Sequence, residues 1–285
     1  MASSRPDGGR ERGAHGVSAS GWLSSPLNNR LARRYAAAWP AISWGLFGVV
    51  ALYCVASIAG LTGYPTAADG IVPGDAWNYW SGTPYTSEHY RYSPAFYWLT
   101  VPLRALPFEL FLGIWTIAHL AALAWLGPWT ILLAFDDVIR GNVTTFLAVG
   151  LVLAIRGNQP WTWSWTILTK VTPGVGILYH VARREWRAVA VALGVTLAIV
   201  AVTWPLGLWP EWFASLAAAP DNYQTVDVLA PLPVRLVVGA ILCALAARWV
   251  WLLPVGMIIA MPGLWPSSFA LLAALPRLLR PQVPS

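Results

Sequence analysis

An all-α polytopic membrane fold is predicted by three features of the sequence. Hydrophobic residues make up 57% of the 285 residues and charged residues only 11%, against about 25% charged in soluble domains. Uncharged runs of bilayer length recur along the chain. Basic residues cluster before and between those runs: Arg5, Arg10, Arg12, Arg30, Arg33 and Arg34 precede the first of them. That asymmetry predicts a cytoplasmic N-terminus in a multi-pass protein of the cell membrane. It also accounts for much of the net charge of +6, so no nucleic-acid partner is expected. Many of the 19 tryptophans close apolar runs, among them Trp39, Trp161, Trp209 and Trp265, as in interfacial aromatic belts. About 8–10 transmembrane or half-membrane helices are expected from the run lengths, with an external first loop and an interfacial helix.

Residues 1–34 are rich in Ser, Gly and Arg and poor in large apolar side chains, which predicts a disordered cytoplasmic tail. Residues 35–285 form one membrane domain. Ala41 to Leu61 is uncharged and long enough to span, inside to outside. The external loop 63–94 comes next. Pro94 to Leu106 is short, aromatic and broken by Pro102, as expected of a helix lying along the interface. Leu110 to Phe135 is interrupted at Gly127-Pro128, which predicts a full helix followed by a short one leading to Asp136, Asp137 and Arg140. Val143 to Ile155 is a short apolar piece ending at Arg156.

Trp161 to Ala182 admits two topologies. As one straight span it puts Arg156 and the Arg183-Arg184-Arg187 cluster on opposite sides. Split at Lys170–Gly176, it becomes a hairpin of half-helices with Lys170 at its tip and both basic clusters in the cytoplasm. The positive-inside rule favours the split, and irregular backbone is tolerated where it lines a cavity. Ala188 to Leu208 is a further span and Trp209 to Pro233 a second external loop. Three short apolar pieces complete the chain, punctuated by Arg248, Pro254, Pro262 and Pro266. Cys54 and Cys243 lie inside apolar runs and read as buried packing residues, with no disulfide and no metal site.

The most polar stretch between apolar runs is Asp75 to Pro94. It holds Asp75, Glu88, His89 and Arg91 among four tyrosines and two tryptophans. Aromatic and hydrogen-bonding groups in that density at a membrane surface suit sugar binding. Asp75 close to the interface is placed to take a proton from an acceptor hydroxyl, although a lone loop aspartate is more commonly solvated or a turn former. Lys170 is the single lysine. A charge near the bilayer centre costs about 2.5–3.5 kcal/mol and marks a functional site by default; a compact cation suits a phosphate, the alternative being a lysine snorkelling or paired with an acid. Arg91 is a second candidate for a phosphate, or a solvated loop arginine. Asp136, Asp137 and Arg140 form either a structural network or an acceptor-orienting group. His119, inside an apolar run, reads as hydrogen-bonded packing.

The order Asp75, Tyr79-Trp80, Pro84-Tyr85, Tyr90, Tyr92-Ser93-Pro94 and Leu106-Pro107 resembles the first external loop of polyprenol-phosphate-mannose-dependent mannosyltransferases of the GT-C superfamily, glycosyltransferase family 87. A second block, Arg140-Gly141-Asn142 followed by Lys170-Val171-Thr172-Pro173 and Arg183-Arg184-Glu185-Trp186-Arg187, is similar to the family's Arg-Gly-Gln/Asn helix start, Lys-x-x-Pro and basic-aromatic turn. Met261-Pro262-Gly263-Leu264-Trp265 is a weaker third match, and Pro266-Ser267-Ser268 stands where the family often has a histidine. The chain is short for this family, which implies a shortened member. The resemblance implies a GT-C-like bundle and an inverting transfer of a sugar, mannose in the commonest case, from a polyprenyl-phosphate donor to a lipid, glycolipid or lipoglycan acceptor. Asp75 would be the general base. Lys170 and Arg91 would hold the donor phosphate. Tyr79, Trp80, Tyr85, His89, Tyr92, Asp136, Asp137, Arg140 and Asn142 would line the site. No cofactor is implied, since the sugar arrives on its lipid. Two other classes fit the composition: a non-catalytic protein of envelope assembly, and a lipid transporter, for which the paired broken helices of an internal repeat are missing.

Overall fold

The computed structural model describes residues 26–62, 74–82, 84–85, 92–217 and 230–280, and these residues contain helices and no strand. The expected tail falls on residues 1–25, outside the described residues, and on the first turns of α1 (Pro26–Ile58). The chain divides into two compact units, residues 1–43 and 44–285, and the second carries the helical bundle and the candidate site. Among the described residues three segments are long and apolar enough to cross a membrane: Tyr35–Ile58, Phe108–Leu126 and Trp186–Leu206. They coincide with the three long spans expected from the sequence, and the remaining helices are shorter. Much of the surface they present is large and apolar, for example Val49, Ile117, Leu197 and Val202, which suits lipid as the surrounding solvent.

The predicted first loop contains a helix, α2 (Gly74–Ser81), in whose first turn Asp75 lies. The piece expected to lie along the interface is α3 (Pro94–Thr100) continued as a 3-10 helix over Val101–Ala105. Ser93 caps α3 by accepting the Phe96 N–H, with Pro94 at the first helical position, where a missing N–H costs nothing. The chain then enters α4 (Phe108–Leu126). Gly127, at φ 150°, and Pro128 end it as expected, and a 3-10 turn over Pro128–Thr130 redirects the backbone into α5 (Ile131–Arg140). α6 (Thr144–Ile155) begins after a three-residue turn at Gly141-Asn142-Val143.

Beyond Pro160 the chain doubles back, as the split topology requires. α7 (Trp163–Thr169) stops at Lys170, which is extended at φ −132° and ψ 104°. A 3-10 helix over Thr172–Ile177 returns alongside α7 and leads into α8 (Leu178–Ala182). The two arms touch closely because glycines face the first arm: a Cβ on Gly174 would lie 2.9 Å from Ile167, and one on Gly176 2.6 Å from the Trp163 ring. The Trp163 and His180 rings meet at 6.1 Å across the base of the hairpin. One straight span over Trp161–Ala182 is therefore excluded, and Lys170 stands at the tip.

α9 (Trp186–Thr203) is the third long helix, and α10 (Trp209–Ala217) occupies the start of the predicted second loop. α11 (Leu232–Leu245) and α12 (Leu252–Ile259) pack through facing glycines; a Cβ on Gly239 would come within 2.7 Å of the Gly256 carbonyl. Small residues give such apolar helices their close contact. Arg235 is buried, donating to the carbonyls of Ala230, Met261 and Pro262, so its charge is solvated by backbone. The Pro266–Ala274 segment is 3-10, and its buried side chains follow the three-residue period of that helix: Ser267, Ala270, Ala273 and, beside them, Ser268, Leu271, Ala274. These mostly small columns let it lie against α5 and α6 in the main core with Leu123, Ile131, Val138, Leu147 and Leu253. The final helix, α13 (Leu275–Leu278), ends the described chain. Cys54 and Cys243 are both free and buried, as expected.

Candidate functional site

The site is built on the turn between α5 and α6. Gly141 ends α5 in the left-handed conformation at φ 68° and ψ 29°, and the Asn142 N–H bonds back to the Asp137 carbonyl at 2.9 Å, a Schellman-type stop. A side chain at residue 141 is doubly excluded. The backbone conformation disfavours any L residue, and a Cβ would sit 2.6 Å from Cβ of Ala76 on α2. This contact seats α2 on the turn and brings Asp75 over Asn142. Gly141→Ala is expected to destabilise the protein by about 1–3 kcal/mol, read as a lower midpoint in thermal unfolding in detergent, with a larger loss for Gly141→Val.

Asn142 is the hub. Its Nδ2 donates to Asp75 Oδ2 at 2.8 Å, and its Oδ1 accepts from Lys170 Nζ at 3.0 Å and from Thr144 Oγ1 at 3.0 Å. Lys170 Nζ also donates to Thr144 Oγ1 at 3.0 Å. One amide therefore joins a carboxylate and an ammonium that lie 95 residues apart in sequence (170 − 75). The lysine is engaged with the protein and is not snorkelling away from it. Asp75 is only partly accessible, and burial raises its carboxyl above the usual carboxylate range; the Asn142 hydrogen bond, Lys170 and Arg140 oppose the rise and Asp136 adds to it.

Asp136 and Asp137 part company. Asp136 pairs with Arg140 one turn on, at 3.0 Å. Asp137 is completely buried, and its Oδ2 accepts the Thr145 N–H at 2.8 Å and the Thr145 hydroxyl at 2.6 Å, capping the N-terminus of α6. His119 Nε2 lies 3.7 Å from the same oxygen. Asp137 Oδ1 is buried without a protein partner among the described residues.

The aromatic residues expected to line the site divide similarly. Tyr79 is wholly buried, edge-on to the rings of Tyr92, Phe96 and Trp115, with its hydroxyl donating to Tyr92 Oη at 2.8 Å. It is packing beneath the site, not lining. Trp80 donates to the Leu106 carbonyl and fastens α2 to the segment that follows α3. Tyr85 donates to the Tyr92 carbonyl at 2.7 Å. Ser93 Oγ donates to the Leu168 carbonyl, tying the end of the loop to the hairpin arm that carries Lys170. His89 and Arg91 lie outside the described residues. Sequence reasoning missed Thr144 and Thr145; the signal was two hydroxyls opening an apolar helix just after Arg140-Gly141-Asn142-Val143. Among the described residues no group of three or more His, Cys, Asp or Glu side chains could hold a metal ion.

The site thus gathers a raised carboxylate, a cation and a shared amide from α2, the α5–α6 turn and the hairpin tip. Such a set can accept a proton on one side and stabilise negative charge on the other. Comparison with protein-family models, curated proteins and solved structures gives no match.

Proposed function

We propose that the protein is a membrane glycosyltransferase of GT-C type that moves a sugar, mannose foremost, from a polyprenyl-phosphate donor to a lipid, glycolipid or lipoglycan acceptor with inversion. The observation that carries this reading is the Asp75–Asn142–Lys170 linkage, which holds a base and a phosphate-type cation in one site. Asp75 takes the proton of the acceptor hydroxyl. The hydroxyl oxygen attacks the anomeric carbon from the face opposite the phosphate, and the bond from that carbon to the phosphate oxygen breaks. Its electron pair leaves with the polyprenyl phosphate, whose charge Lys170 stabilises. Asn142 spaces the two groups, so that proton and leaving group depart on opposite sides of the sugar. The N-terminus is cytoplasmic in this reading, and the Arg156 and Arg183 ends of the hairpin face the cytoplasm, with Asp75 on the outer side.

The test is sugar transfer from radiolabelled polyprenyl-phosphate-mannose into endogenous lipid in membranes that express the chain. Label in glycolipid above the empty-vector level is expected. No transfer from this donor or from polyprenyl-phosphate-arabinose, with the protein present at normal level, overturns the reading. The raised Asp75 carboxyl predicts the pH profile. As pH falls through its folded-state pKa, Asp75 gains a proton and loses its capacity as a base. The acid limb of kcat is therefore expected above the ordinary aspartate value of about 3.9, and an acid limb at or below that value would show that another group is the base.

A further inference from the structure

His119 stands in α4 with no accessible surface, and both ring nitrogens face oxygen atoms that can only accept. Nδ1 is 2.9 Å from the Trp115 carbonyl, and Nε2 is 2.5 Å from the Asn142 carbonyl and 3.7 Å from Asp137 Oδ2. A neutral imidazole has one N–H; either tautomer would press a nitrogen lone pair against a carbonyl lone pair. An imidazolium satisfies both. We infer that His119 is a permanent imidazolium, paired with Asp137, that positions Asn142 beneath Asp75.

Three further observations agree. With Asp75 and Asp137 as anions, a cationic ring beside Lys170 balances the charge of these four groups. Asp137 caps α6 through Thr145, whose N–H and hydroxyl favour its anion against the burial that pushes its carboxyl up to about 7, and a cationic ring adds to that preference. The Phe146 and Trp115 ring centroids lie 4.4 and 5.7 Å from the imidazole, tilted and edge-on, at distances over which a ring quadrupole acts on a charge. Burial alone disfavours a charged ring; two carbonyls and a neighbouring carboxylate act against it. The ring grips the Asn142 carbonyl while the Asn142 side chain grips Asp75, so the charge on His119 fixes the peptide from which the proposed base is aimed. The groups facing His119 are Asp137 from α5, Asn142 from the turn, Phe146 from α6 and Trp115 from α4 itself; Asp75 and Lys170 lie one hydrogen bond further, on Asn142.

The role in positioning rests on the glycosyltransfer reading; the charge state does not. Full-length protein labelled with 15N-histidine in lipid nanodiscs reports both, its His119 signals assigned by their loss in His119→Gln. Both nitrogens are expected in the protonated range at neutral pH, and Asp137→Asn is expected to move Nε2 or Nδ1 to the unprotonated position. One unprotonated nitrogen in the wild-type spectrum overturns the proposal, and that spectrum decides the question even if Asp137→Asn does not fold. In the transfer assay His119→Gln is expected to lower kcat by about 10²-fold with the donor KM unchanged. A kcat equal to wild type overturns the positioning role. Absence of transfer in the wild type would overturn the glycosyltransfer reading instead, while the spectrum still decides the charge.

Discussion

Asp75→Asn is expected to reduce sugar transfer by about 10²–10⁴-fold, the usual contribution of a positioned general base, with protein level and unfolding midpoint close to wild type. The substitution is nearly isosteric. It keeps an oxygen to accept from Asn142 Nδ2, so the 2.8 Å contact that seats α2 survives. What is lost is basicity and the negative charge opposite Lys170. The measurement is transfer from the radiolabelled donor in matched membranes, with kcat and donor KM separated. A fall in kcat with KM retained assigns Asp75 to the chemical step. Equal transfer in mutant and wild type would remove it from that step and direct attention to Asp137, whose Oδ1 has no protein partner among the described residues.

Lys170→Met is expected to cost about 10²–10³-fold in kcat, the range found when one preorganised donor to developing negative charge is removed. The donor KM rises as well if the same ammonium binds the phosphate in the ground state. Lys170→Arg is not expected to rescue. The guanidinium is longer and broader than the ammonium, and its planar fork cannot occupy the position of a point charge held 3.0 Å from both Asn142 Oδ1 and Thr144 Oγ1 at the tip of a tight hairpin. Removal of Lys170 also leaves Asp75 and Asp137 with less opposing charge, so the acid limb of the residual activity is expected to move upward in pH. Transfer in Lys170→Met at the wild-type rate would mean that the ammonium serves only to hold Asn142.

Much of this arrangement is legible in the sequence, and the rest is hidden for identifiable reasons. The Gly127-Pro128 break and the hairpin at Lys170 are written in residues that interrupt helices by their own backbone chemistry. The positive-inside rule gives a second, independent signal for the split of Trp161–Ala182, since it expects Arg156 and Arg183 on one side, which requires the segment to fold back. Asp75, Asn142 and Lys170 each stand out along the chain, but their meeting at one amide does not, because nothing local encodes a contact across 95 positions (170 − 75). Asp136 and Asp137 look alike as a dipeptide. Adjacent residues on a helix point about 100° apart, so one reaches Arg140 and the other the start of α6. Tyr79 reads as a lining residue because it sits in a polar stretch; a helix inside that stretch turns it into the core. No composition signal marks a short helix rich in tryptophan as distinct from a loop.

The hairpin has a consequence for how the chain is made. Its tip carries an ammonium whose partners, Asn142 and Thr144, belong to the preceding turn and helix. Within the apolar bundle that charge is solvated by protein groups, the Asn142 and Thr144 oxygens, rather than by water. Synthesis from the N-terminus delivers the α5–α6 turn first and the hairpin afterwards, so the receptor is waiting when the lysine emerges. A circularly permuted chain that began at α7 would reverse this order and strand the lysine until its partners were translated. The position of the single lysine in the sequence, after the turn that receives it, is in this sense part of the assembly route as well as part of the site.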